Sequence, residues 1–186
     1  REIEGVYKAN SLQQGFIYHD LAYPEDDAYR VQQIIDYHQA INVENYQKAW
    51  ELAIEQYPIL RTSFDWEETP IQIIHAKGQL QWSYLEYQDI HQLQKKDRAL
   101  GFDLSKPTQL RIYLVKNNDK HYSLLKSAHH AISDGWSGPI LLQQVHRYYE
   151  ALQKGQTIKV QKDRAYLETQ AYIAHHLNTA RDNWQL

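Results

Sequence analysis

The sequence predicts an α/β fold: an α+β two-layer sandwich, in which a mixed sheet carries helices packed on it. Three observations predict it. Apolar residues alternate at a period of two along Tyr29 to His38 (Val31, Ile35, Tyr37) and fall at helical spacing just after it, at Val43, Tyr46, Trp50, Ala53, Ile54 and Tyr57. Strand-like and helix-like stretches then keep alternating along the 186 residues. Two strand-like runs, Leu110 to Val115 and Tyr122 to His130, flank Lys116-Asn117-Asn118-Asp119-Lys120, whose composition favours a hairpin turn.

Each element has its own signal. Ile3 to Tyr7 reads as a short strand, weakened by Gly5. Ser11 to His19 reads as a helix with Ser11 as its N-cap and Leu12, Phe16 and His19 on one side. Pro24 to Asp27 is turn-rich. Asn42 caps the long amphipathic helix, and Pro58 ends it. Ile59 to Phe64 reads as a strand that sets Leu60, Thr62 and Phe64 on one face and Arg61 on the other. Pro70 to His75 and Gln81 to Tyr87 read as strands split by a turn at Lys77-Gly78. Asp89 to Leu100 is a charged helix with Gly101 just past its end, and Lys95, Lys96, Asp97 and Arg98 read as its solvated face. Ile140, Leu141, Val145, Tyr148, Tyr149 and Leu152 make the stretch from Pro139 an amphipathic helix that Gly155 stops. Thr157 to Asp163 is loop-like. Ala165 to Leu186 reads as a last helix, and its His175-His176 pair reads as solvent or interface.

Chemistry concentrates in Ser127 to Gly138. An apolar strand delivers His129 and His130, and a turn with Asp134 and Gly135 follows. Neighbouring strand residues face opposite ways, so the two imidazoles cannot share one task. Imidazole exchanges protons near neutral pH. Asp134 can orient an imidazole, cap the next helix or pair with a distant cation. Gly135 lets a substrate approach the backbone, where its N–H can meet a developing oxyanion. A metal reading through His130 and Asp134 lacks a third ligand.

His129-His130-Ala131-Ile132-Ser133-Asp134-Gly135 resembles the HHxxxDG signature of condensation domains of nonribosomal peptide synthetases. These belong to the chloramphenicol acetyltransferase-like superfamily, and Trp136-Ser137 continues the motif in their manner. Leu12-Gln13-Gln14-Gly15 is similar to the family's first conserved stretch, in the form of the subgroup joining a D-donor to an L-acceptor. Leu60-Arg61-Thr62-Ser63-Phe64 is similar to its Leu-Arg-Thr-x-Phe stretch. The resemblance implies that residues 1–186 are the N-terminal lobe of a condensation domain, with the second lobe absent. It implies an acyltransferase that forms an amide between a donor acyl or peptidyl thioester and the α-amine of an acceptor aminoacyl thioester. It implies no bound cofactor, with both substrates carried on the phosphopantetheine of carrier proteins. It implies donor and acceptor carrier proteins, the C-terminal lobe and an adjacent adenylation domain as partners. His130 and Gly135 become the catalytic residues, with His129, Asp134 and Arg61 as structural support and Arg61 clamping Asp134. Two other readings are a non-catalytic domain that recruits a carrier or partner, and an acyltransferase using acyl-CoA.

Composition narrows the classes further. A net charge of −3 gives no nucleic-acid or anionic-membrane footprint. With no cysteine there is neither a thiolate nucleophile nor a disulfide framework. Arg1 to Asn10 is polar rather than a secretory h-region, so a cytoplasmic location is the simplest reading. The chain does not start with methionine, which reads as an excised piece. An isolated lobe is expected to be inactive.

Overall fold

The structure, a computed structural model, describes residues 2–135, 138–169 and 171–172, and the side chains of all of these but 133–135. In order the chain forms β1 (Ile3–Lys8), α1 (Ser11–Ala22), β2 (Arg30–Tyr37), α2 (Val43–Gln56), a 3-10 turn (Pro58–Arg61), β3 (Thr62–Asp65), β4 (Ile71–His75) and β5 (Gln81–Glu86). There follow α3 (Ile90–Leu100), β6 (Leu110–Asn118), β7 (His121–His129), a second 3-10 turn (His130–Gly135) and α4 (Gly138–Gln153).

The described strands form two sheets. One is antiparallel, in the order β1-β4-β3. The other is the mixed sheet, in the order β2-β7-β6-β5, with β5 parallel to β6 and the remaining pairs antiparallel. Parallel neighbours need a crossover, and α3 supplies it. The predicted hairpin is β6-β7, and Gly5 marks a register shift in β1 where it pairs with β4.

Register decides which residues meet the helices. On one face of the mixed sheet Leu110, Ile112 and Leu114 stand beside Tyr122, Leu124 and Ala128. That face joins one core with Tyr46, Trp50 and Ile54 of α2 and with Leu141, Val145 and Tyr148 of α4. Burying side chains of this size contributes about 1.5–3 kcal/mol each. The opposite face carries Gln32, Arg111, Tyr113 and Ser127, and α3 covers it.

Several local expectations are corrected. Asn10, not Ser11, caps α1: its side chain accepts from the Gln13 N–H at 2.7 Å, while the Gln13 side chain accepts from the Asn10 N–H at 3.0 Å. That reciprocal cap draws Gln13 inward, and the buried stripe becomes Gln13, Phe16 and Ile17, leaving Leu12 half exposed. Arg61 closes a 3-10 turn rather than lying in a strand, because Pro58 starts a tight turn whose four residues are all buried. Asp97 is not solvated. It is 1% exposed and held by polar groups of the sheet. Helix is described over 165–169, and the rest of the predicted last helix, with His175-His176, lies largely outside the described residues.

Candidate active site

β7 ends at His129, and the 3-10 turn begins with His130. This break, more than strand alternation, separates the two imidazoles. His129 is 2% exposed. Its Nδ1 accepts from the Ala131 N–H at 2.9 Å, which places the ring proton on Nε2, and Nε2 donates to Asp20 Oδ2 of α1 at 2.9 Å. His129 is therefore a bracket between helix and turn. The ring of Phe102 stands edge-on to it at 6.5 Å.

His130 is half-buried. Its backbone N–H donates to the Tyr29 carbonyl at 2.8 Å, and its ring lies 5.0 Å from that of Phe16. Phe16 also packs against Tyr29, at 4.7 Å, and His129, at 6.1 Å. One aromatic side chain of α1 thus seats the residues on both sides of the strand end. Gln13 reaches the same turn, with Nε2 donating to the Ala131 carbonyl at 3.5 Å and to the Tyr166 hydroxyl at 3.4 Å.

Arg61 is fully buried. Its Nε donates to the Ile54 carbonyl at 3.1 Å, and its Nη1 to the His75 carbonyl at 2.5 Å and to Glu4 Oε2 at 2.9 Å. Its Nη2 has no hydrogen-bond partner among the described residues. The turn bearing Arg61 packs against the turn that starts at His130. Burial raises the Glu4 pKa, but hydrogen bonds from Lys162 and Arg61 outweigh it and hold the carboxyl below its ordinary value. The side chain of Asp134 and the whole of Trp136 and Ser137 lie outside the described residues, so the Arg61–Asp134 clamp and the Gly135 contact are not in view.

This constellation can do acid–base chemistry at one partly exposed imidazole, on a turn held by a second, buried imidazole, the half-buried carboxylate of Asp20 and an aromatic clasp. Among the described residues no group of three or more His, Asp or Glu is placed to hold a metal ion, and no helix is long and apolar enough to cross a membrane.

Comparison with known proteins fixes the family. The sequence profile described as Condensation domain matches residues 3–185. The chain belongs to the condensation-domain family. Among similar curated proteins, N-(5-amino-5-carboxypentanoyl)-L-cysteinyl-D-valine synthase of Amycolatopsis lactamdurans is 39% identical over 188 residues, which is 95% of this chain and 5% of that protein. A linear gramicidin synthase polypeptide of Brevibacillus parabrevis is 32% identical over 200 residues, covering 100% of this chain and 4% of its own length. This condensation-domain chain thus spans about one twentieth or less of the length of these curated relatives. The starter condensation domain of rhizomide synthetase superposes with a TM-score of 0.84 at 18% identity, over 94% of this chain and 46% of that one. A four-domain nonribosomal peptide synthetase bound to AMP and glycine superposes with a TM-score of 0.70 at 25% identity, over 80% of this chain and 12% of that one.

Sequence reasoning missed Glu4, Asp20 and Tyr29 at the condensation-domain site. Each acts through a contact with residues far along the chain, and nothing in the local pattern marks it.

Proposed function

We propose that this condensation-domain chain is the N-terminal lobe of an amide-bond-forming acyltransferase of a peptide synthetase. Its substrates are a donor acyl or peptidyl thioester and an acceptor aminoacyl thioester, each on the phosphopantetheine of a carrier protein. The acceptor α-amine attacks the donor thioester carbonyl, a C–N bond forms, the C–S bond breaks, and the donor thiol leaves with the proton the amine gives up. His130 takes or orients that amine proton, a role that typically contributes ~10²–10⁴-fold. Holding two tethered substrates in line contributes through lost freedom paid in advance. The Gly135 N–H meets the tetrahedral oxyanion, and Arg61 braces Asp134 at the turn. Arg61 Nη2, buried and with no hydrogen-bond partner among the described residues, stands on a turn that packs against the turn starting at His130, which supports the brace.

The observation that carries the reading is the different setting of the two histidines: His129 is buried and held by Asp20 and the Ala131 N–H, while His130 is half-buried at the start of the turn. The lobe alone is expected to be inactive, with the C-terminal lobe, the carriers and an adenylation domain as partners. The test is peptide-bond formation by the complete condensation domain with loaded carriers. Loss of turnover in His130→Ala is expected, and unchanged turnover refutes the assignment.

A further inference from the structure

The bracket on the buried histidine has a consequence for the residue between its two ends. His130 is pinned on both sides: its own N–H donates to the Tyr29 carbonyl at 2.8 Å, and the next N–H, that of Ala131, donates to His129 Nδ1 at 2.9 Å. The second bond exists only while His129 Nδ1 is bare, which requires the ring proton on Nε2. A carboxylate oxygen is an acceptor only, so Asp20 Oδ2 at 2.9 Å from Nε2 selects that tautomer and holds the ring plane. Ala131 is fully buried, and its N–H has no access to water should the imidazole turn away.

We infer that Asp20 is a positioning residue: its carboxylate acts through His129 on the Ala131 N–H and so sets the backbone that presents His130. The inference rests on the catalytic role proposed for His130. It assigns to α1 a specific task in the site, beyond covering it.

The experiment uses the complete condensation domain with loaded carriers. In Asp20→Ala, the turnover number falls by on the order of tenfold or more, as loss of a charge-assisted hydrogen bond allows, while KM for the loaded carriers stays unchanged. Asp20→Asn, whose amide oxygen can still accept from Nε2, restores most of the rate. Amide exchange at Ala131 rises by on the order of tenfold in Asp20→Ala. A purely structural role would lower the melting temperature and leave the turnover number alone well below it. Unchanged exchange at Ala131, or an unchanged rate in Asp20→Ala alongside an inactive His130→Ala, overturns the inference while leaving the proposed function standing. Full turnover in His130→Ala sinks both. Should Asp20→Ala not fold, nitrogen NMR of unaltered His129 decides: a proton on Nε2 upholds the inference, and one on Nδ1 overturns it.

Discussion

The Nε of Arg111 in β6 donates to Oδ1 of Asp97 in α3 at 2.6 Å, on the sheet face away from the main core. The same carboxylate accepts from Tyr113 OH at 2.9 Å, from Gln32 Nε2 at 2.8 Å and from Ser127 Oγ. Arg111 also donates to the Gly101 and Asp97 carbonyls and lies over the Phe102 ring at 4.0 Å. One buried charge thus ties α3 to β2, β6 and β7, and β7 is the strand that delivers His129.

Removing that carboxylate strands a guanidinium and three other donors. Asp97→Ala is therefore expected to lower stability by about 3–5 kcal/mol, the cost of breaking a buried ion pair from one side. Burial raises the Asp97 pKa, but hydrogen bonds from Ser127, Arg111 and Gln32 outweigh it and hold the carboxyl below 3.8. The unfolded chain then binds more protons in that range, so this contribution is present above about pH 4 and is lost as pH falls through the folded value. Urea unfolding of wild type and Asp97→Asn should differ by a constant amount at neutral pH and converge in acid. Equal midpoints at pH 7 would remove Asp97 from the account.

Arg61 makes a second prediction. Its donors are spread over the Ile54 carbonyl, the His75 carbonyl and Glu4, a planar fork that lysine cannot reproduce. Arg61→Lys should lose most of what Arg61→Ala loses, about 3–5 kcal/mol. Glu4→Gln should lose far less, because the Glu4 side chain is 24% exposed and its amide can still accept from Nη1. Denaturant midpoints for the three variants give the order directly, and an Arg61→Lys protein as stable as wild type contradicts it.

Gly78 stands against the same side chain. A Cβ there would lie 2.4 Å from Ile54 Cγ2, 2.8 Å from Thr108 Oγ1 and 3.0 Å from Arg61 Cγ. All three neighbours are buried, so none has free room to yield. Gly78→Ala is expected to cost roughly 1–3 kcal/mol through overpacking, read as a lowered melting temperature. No drop would mean that the loop moves aside.

What could be read from the residues followed the range of the interactions. The α2 helix was legible because Tyr46, Trp50, Ala53 and Ile54 repeat at its period and Asn42 accepts from the Asn45 N–H three residues on. Gly101 was legible as a helix stop, and its φ of 64° shows why glycine stands there. The Pro58–Arg61 turn was not legible, since a short apolar run does not distinguish a buried strand from a buried turn. Asp97 was hidden in a local charge run while its partners Arg111 and Ser127 lie 14 and 30 residues away. Asp20 and His129 are 109 residues apart, and no periodicity reports such a pair.

Lys126 gives the last prediction. It sits in β7 opposite Gln33 of β2 and Ile112 of β6, on the face that carries Leu124 and Ala128, and is 4% exposed. Burial pushes its pKa down from 10.5 to about 8. Between those values the unfolded chain holds a proton that the folded chain has released, so this lysine makes stability rise with pH across that window. The gap corresponds to roughly 3 kcal/mol at most. Methionine has a similar unbranched stem and no charge. The stability of Lys126→Met relative to wild type should therefore fall by up to that amount as pH rises from below 8 to above 10.5, because wild type gains what the variant never lacked. Tyrosines that ionise in the same range affect both proteins alike and cancel in the difference. Urea unfolding of the pair at pH 7 and pH 10.5 measures it. A difference that does not change with pH would mean that Lys126 keeps its proton in the folded chain as readily as in water.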